Sequence, residues 1–299
     1  MDVRLIEIKQ DMPGFKSFFA SWLCQDDLNL IVDVGPASTG ERLIGSLAAL
    51  GVERIDYVLL THIHIDHCGG LGALLDHYPM AKVICHEKAV EHMVDPSRLW
   101  NGSLKVLGEI ARAYGPPRPV NEGRLITHNE SELKDLTVIE TAGHALHHLS
   151  FTYGGRLFAG EAGGNYFIID DTEYLRPATP PRFFFEVSLA SVDRLLSLKD
   201  QPICYAHFDQ GRSSHRLLGM FRQQLIFWKE VIHEEVLNGD QDLVERSMNS
   251  LIERDPNLKG ISKMDMDTLG RERFFMANAI KGFIGLFKEM DTSSVSRTG

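Results

Sequence analysis

Thr61-His62-Ile63-His64-Ile65-Asp66-His67-Cys68-Gly69-Gly70 packs three imidazoles and one carboxylate into positions 62–67. An apolar run, IDYVLL at 55–60, leads into it, and the Gly-Gly pair opens a helix expected over 71–77. Strand in and helix out place the donors on a loop at a strand's C-terminal end. Imidazole and carboxylate at this density suit a divalent transition metal. Solvated loop histidines, the bland alternative, leave the strand–loop–helix setting without a reason.

Further donors appear when the search moves outward. Gly143-His144 follows the strand-like LTVIET, Glu161 follows RLFAG, and His207 follows PICYA. Each alone reads as structural. Together they sit just past strand ends, where separate loops meet at one edge of a sheet. Five histidines (His62, His64, His67, His144, His207) and two carboxylates (Asp66, Glu161) are enough for two adjacent metals, which can share a hydroxide.

The rest of the chain fits an α/β layered fold with helices outside. Strands are expected at 3–8, 18–23 and 28–34, a helix at 41–50, a strand at 81–86 and a helix at 88–93. A second strand-rich stretch begins at 136 and continues through LSFTYG, RLFAG and PICYAH. From Ser213 the pattern changes: Leu217, Phe221, Leu225, Trp228 and Ile232 recur on one helical face. Leu243, Met248, Leu251 and Ile252 mark a second helix; Phe275, Ala279, Phe283, Leu286 and Met290 mark a third. The division is therefore a core at 1–212 and a helical extension at 213–299, with 291–299 as a frayed tail. Two long connections, 95–130 with an amphipathic helix and the aromatic-rich 163–185, are candidate lids.

Lys and Arg number 31 against 41 Asp and Glu, a net charge of −10, which gives no general attraction for a phosphate backbone. Nucleic acid is not an expected partner. Neither is a membrane, because no uncharged apolar run approaches the ~18–20 residues that span a bilayer. The opening MDVRLIEIKQDM alternates charged and apolar residues without an apolar signal core, so the expected location is the cytoplasm. Cys24, Cys68, Cys85 and Cys204 lie far apart with no CxxC pair and read as reduced thiols.

Residues 61–70 resemble the T-H-x-H-x-D-H signature of the metallo-β-lactamase-fold hydrolases. TAGHALHH, LFAGEA and YAH are similar to that family's later motifs and follow in the same order. The resemblance covers about residues 1–210. It implies a four-layer αββα sandwich with the site at one edge of the two sheets. It also implies that His62, His64 and His144 hold one metal, that Asp66, His67 and His207 hold a second, and that Glu161 bridges them. Thr61 and His148 would support the ligands without binding metal. The helical C-terminus resembles that of glyoxalase II-like members, whose appended helices help bind substrate.

Three positions depart from the family pattern. The bridging acid is usually Asp and here is Glu161, one methylene longer. Ala145 stands where a hydroxyl residue is usual, and His147 where a Gly is usual.

The implied cofactors are two divalent ions, zinc first, with iron or manganese accepted by the same donors. The implied chemistry is attack of a hydroxide on a small ester-like bond: thioester or lactone first, phosphoester next. Asp66 would orient the nucleophile and take its proton. Candidate substrate contacts are His147, Tyr166 and Tyr174, and beyond them Trp100, Arg273 and Lys281, each weighed against plain packing or solvation. Two other classes compete: a mononuclear iron dioxygenase of the same superfamily, and a metal-bearing regulatory protein whose catalysis is dispensable. The apolar final helix would serve such a partner, a homodimer, or simple docking on the core.

Overall fold

The computed structural model describes the backbone of residues 1–295 and side chains through residue 288. Strands β1 (Asp2–Ile8), β2 (Phe19–Gln25), β3 (Asn29–Val32), β4 (Tyr57–Leu59), β5 (Lys82–Cys85) and β6 (Leu125–Thr127) form the first sheet in that order. The first three pair antiparallel and β3 to β6 pair parallel. The second sheet contains β7 (Thr137–Glu140), β8 (Leu149–Tyr153), β9 (Arg156–Gly160), β12 (Ile203–Tyr205) and β13 (Gln210–Gly211), in the order β13-β12-β9-β8-β7. Between β9 and β12 in the chain, β10 (Asn165–Ile169) and β11 (Thr172–Arg176) make a separate hairpin.

Parallel strands buried on both faces read as continuous apolar runs, and β3 to β5 do. Leu30, Val32, Leu59 and Ile84 meet Leu149, Phe151 and Phe158 of the second sheet. The alternate residues Ile31, Val58 and Val83 turn the other way, into the core under α1 (Gly40–Ala49) and α3 (Leu71–His77). Trp22 ties the sheets together by donating its indole N–H to the Tyr205 carbonyl at 2.8 Å. Helices α7 (Phe185–Leu196) and α8 (Ser214–Leu237) cover the second sheet, completing the αββα sandwich.

Between the sheets' ends run short helices α2 (Ile65–Cys68), α4 (Val90–Val94), α5 (Ser97–Leu107) and α6 (Glu109–Tyr114). The chain closes with α9 (Leu243–Arg254) and α10 (Met266–Val295). Ser213 accepts from the Arg216 N–H and so caps the start of α8. The apolar face of α10 is docked rather than presented. Ala279 and Phe283, with Met276 and Ile280, are buried in the same core as Leu225, Trp228 and Ile232 of α8. The side chain of Met290 is outside the described residues. The expected frayed tail is helical as far as Val295, and 296–299 lie outside the described residues.

One expectation is corrected. Residues 163–185 are not a long loop: most of them form the β10–β11 hairpin, which turns at Asp170 and Asp171, both with positive φ (44° and 60°). Two successive positive-φ residues make the turn that matches the twist of a two-residue hairpin. Among the described residues, no helix is long and apolar enough to cross a membrane.

Candidate metal centre

The loop after β4 and the loops after β7, β9 and β12 converge at one edge of the sandwich. The Gly pair lets the first of them come close. A Cβ at Gly69 would stand 2.3 Å from the Ile65 carbonyl oxygen, and one at Gly70 would stand 2.5 Å from that of Val34. With no side chains there, the Val34 N–H reaches the His67 carbonyl (2.8 Å) and the Gly70 N–H that of Gly35 (2.9 Å).

Seven expected donors gather into two groups: His62, His64, His144 and Glu161, and beside them Asp66, His67 and His207. Within each group the donor atoms lie within 4.8 Å of one another. His64 Nδ1 is 3.0 Å from His62 Nε2 and 2.8 Å from His144 Nε2. Glu161 reaches into both groups. Its Oε2 is 2.9 Å from His144 Nε2, 3.4 Å from His62 Nε2 and 3.5 Å from His67 Nε2, while its Oε1 is 3.4 Å from His207 Nε2. Asp66 Oδ2 lies 3.5 Å from His207 Nε2 and 3.7 Å from His67 Nε2.

The far nitrogens of these rings are held from behind. His62 Nδ1 contacts the Thr61 hydroxyl at 3.0 Å, His207 Nδ1 faces the Phe18 carbonyl at 3.3 Å, and His144 Nδ1 bonds the Ala178 carbonyl. His67 donates Nδ1–H to Asp33 Oδ2 at 3.1 Å, which turns Nε2 toward the other donors. That Nε2 is buried and has no hydrogen-bond partner. An orphaned imidazole nitrogen beside two carboxylate oxygens, those of Asp66 and Glu161, is what a cation site requires. The donor set therefore fits divalent metal.

Electrostatics agree. Burial alone would raise the Glu161 carboxyl, but His144 and His207 outweigh it and hold it well below its ordinary range. Burial, aided by His67, pushes His62 well down, and burial with His144 does the same to His64. Burial would also lower His67, but Asp66, Asp33 and Glu161 together raise it well above. The centre thus combines an acidic Glu161 carboxylate with imidazoles crowded against one another.

Asp33 is the supporting residue that the sequence analysis missed. Its carboxylate accepts from the Thr61 N–H (2.8 Å), the Thr61 hydroxyl (2.7 Å) and His67, so one buried group orients both ends of the ligand loop. A charged residue closing the apolar run 30–32 was the available signal. The Thr61 hydroxyl contacts His62, and His148 packs behind Glu161. His148 Nδ1 pairs with the Thr141 hydroxyl at 2.8 Å, and its Nε2 accepts the Glu161 N–H at 3.0 Å. That contact leaves no room at Gly160, where φ is +58° and a Cβ would meet His148 Nε2 at 2.5 Å. Gly160→Ala is expected to lower stability by about 2 kcal/mol through backbone strain and the displaced imidazole. Parallel thermal melts and metal analyses would check it, and an unchanged melt would refute it.

His147 and the two tyrosines part company. His147 borders the cavity over the metal donors, its Nδ1 buried without a partner. Burial, with His144 beside it, pushes its pKa down to about 4, so the ring is neutral at ordinary pH. Tyr166 and Tyr174 do not line that cavity. They are buried in the β10–β11 hairpin, donating to Glu173 (2.7 Å) and Glu272 (3.0 Å). Their register puts them on opposite faces of the hairpin, with Tyr166 stacked on Tyr205 of β12 and Tyr174 turned to α10. Trp100, Arg273 and Lys281 are also absent from the lining; Arg273 instead pairs with Glu245 at 2.6 Å. From α10 it is Phe275 and Asn278 that reach the cavity.

Comparisons with known proteins place this geometry. The family model of the metallo-beta-lactamase superfamily matches residues 19–207, more than half of the chain. A metallo-beta-lactamase fold-containing protein of Sulfurisphaera tokodaii is 28% identical over 218 residues, covering 70% of this chain and 78% of that protein. A hydroxyacylglutathione hydrolase of Aeromonas hydrophila is 27% identical over 211 residues, covering 69% of this chain and 66% of the relative's length. In three dimensions, an archaeal metallo-beta-lactamase superfamily protein from Sulfolobus tokodaii shares the fold with a TM-score of 0.70. It is 22% identical, and the match covers 95% of this chain and 98% of that one. With the family model matching from β2 to β12, the chain belongs to the metallo-beta-lactamase superfamily.

Proposed function

We propose that this chain is a binuclear metal-dependent hydrolase acting on a small molecule with an ester-like bond, thioester or lactone before phosphoester. The observation that carries the reading is Glu161, whose one carboxylate contacts nitrogen donors of both groups. His62, His64 and His144 would hold one ion, Asp66, His67 and His207 the other, and Glu161 would be shared. Zinc is the first choice, and iron and manganese suit the same donors. Two divalent ions so held supply a water whose pKa falls from ~15.7 toward ~7 and a Lewis acid for a carbonyl oxygen.

The chain's own residues do the rest. Asp66 lines the cavity with its side chain 13% exposed, so its Oδ2 meets solvent and substrate and is the proton acceptor. Over the donors lies a cavity of about 430 Å³, a size suited to a small molecule. Leu99 and Leu107 of α5, the Pro180-Pro181 segment and Phe275 of α10 give it an apolar wall. His147 and Asn278 add polar groups. Such a wall suits an acyl or other apolar part of the substrate, with the neutral His147 ring hydrogen-bonding a polar one.

Elemental analysis of protein purified without chelator tests the reading. Close to two divalent ions per chain, with chelator-sensitive turnover of a thioester or lactone, is the expected result. Close to one iron with oxygen-dependent turnover would overturn it in favour of a dioxygenase. No metal after reconstitution with zinc, manganese and iron would overturn the ligand assignment itself.

A further inference from the structure

The longer acid at position 161 brings an extra rotatable bond, and something must fix it. Asn165, the first residue of β10, is buried directly behind it. With its amide turned as its neighbours require, Asn165 donates to Glu161 Oε1 at 3.1 Å and to the Gly164 carbonyl at 3.3 Å, and it accepts from Arg176 Nη2 at 3.2 Å. Arg176 stands opposite Asn165 in the hairpin register. Its guanidinium is buried and forks onto Glu272 of α10 through Nε and, at 3.4 Å, through Nη2. Glu272 is itself fixed by the Tyr174 hydroxyl (3.0 Å) and by Arg271 Nη2 (2.9 Å). A continuous buried chain of polar contacts thus runs from the C-terminal helix through the hairpin to the carboxylate between the two donor groups.

We propose that Asn165 and Arg176 are positioning residues for Glu161: by holding Oε1, they aim Oε2 at the donors of both groups and set how tightly metal is kept. The inference rests on Glu161 being a metal ligand, as proposed above. Asn165 and Arg176 also border the cavity, but the role assigned to them and, through Glu272, to α10 is read in metal binding rather than in substrate contact. Removing a partner that orients a ligand typically costs 10–100-fold in metal affinity. Asn165→Ala removes the hydrogen bond to Oε1. Asn165→Asp keeps the shape but sets a carboxylate against Glu161 and should be worse.

The test is zinc affinity by chelator competition, together with the visible spectrum of the cobalt-substituted protein, for wild type, Asn165→Ala, Asn165→Asp and Glu161→Ala. Circular dichroism of the metal-free proteins confirms that each has folded. The expected result is a 10–100-fold weaker zinc site in Asn165→Ala and an altered cobalt spectrum, with Asn165→Asp weaker still. If Glu161→Ala loses affinity while both folded Asn165 variants match wild type in affinity and spectrum, the positioning role is overturned and the ligand role stands. If Glu161→Ala itself matches wild type, the ligand role fails and the inference falls with it. Should Asn165→Ala not fold, Arg176→Lys is measured in its place. It keeps the charge but loses the fork, and wild-type affinity and spectrum there would equally overturn the role.

Discussion

His64→Ala and Asp66→Ala are each expected to lower kcat/KM by at least about 10³-fold while leaving the fold in place, a loss of roughly 4 kcal/mol of transition-state stabilisation. His64 brings Nδ1 to within 3.0 Å of two other donor nitrogens. It precedes α2 as the N-cap residue but makes no side-chain cap bond, so its removal costs the helix little. Asp66 touches its histidine neighbours only at 3.5 and 3.7 Å, beyond a good hydrogen bond. Its contribution to the metal-free fold is correspondingly small. Circular dichroism and melting temperature close to wild type, with turnover abolished, would be the confirming pair. Full activity in either variant would overturn the proposed mechanism.

The candidate donors were legible in the sequence because their placement obeys local rules. His62, His64, Asp66 and His67 are neighbours in the chain, and His144, Glu161 and His207 each follow an apolar strand. Donors at strand ends serve no core, so a cluster of them stands out against the hydrophobic pattern. The helices after Ser213 were legible for the opposite reason: their apolar spacing is the core. Beyond Thr61 and His148, what supports the donors was not legible. Asp33 meets His67 across 34 residues, and Arg176 meets Glu272 across 96. Nothing local marks such pairs. The β10–β11 hairpin was hidden by its turn, since Asp170-Asp171 lacks the glycine that usually accompanies positive φ. With the hairpin unseen, Tyr166 and Tyr174 looked like cavity aromatics, whereas the pleat buries them.

Glu272→Gln is expected to destabilise the protein by about 3–5 kcal/mol, on the order of 10 °C in melting temperature. Glu272 is fully buried, Arg176 is 2% exposed and Arg271 is 6% exposed. One carboxylate thus pairs with two guanidiniums where water cannot reach. Loss of its charge strands both cations, and breaking a buried pair costs more than forming it gained. The same variant loosens the link from α10 to β11, leaving Arg176 its contacts to the Pro177 carbonyl (3.3 Å), the Asn165 amide and the Phe275 ring. Acidity provides an independent check. Although burial alone would raise the Glu272 carboxyl, Arg176 and Arg271 hold it at about 2 rather than 4.5. A depressed carboxyl contributes its stability in full above the unfolded value and loses it as the pH falls toward the folded one. In metal-free protein, the gap between wild type and Glu272→Gln should therefore be widest above pH 4.5 and narrow progressively toward pH 2. Subtracting the variant's melts from the wild type's cancels the buried histidines, which both proteins share. A gap that stays constant from neutral pH into acid would mean that Glu272 acts through shape rather than charge, and equal melting at neutral pH would refute the prediction outright.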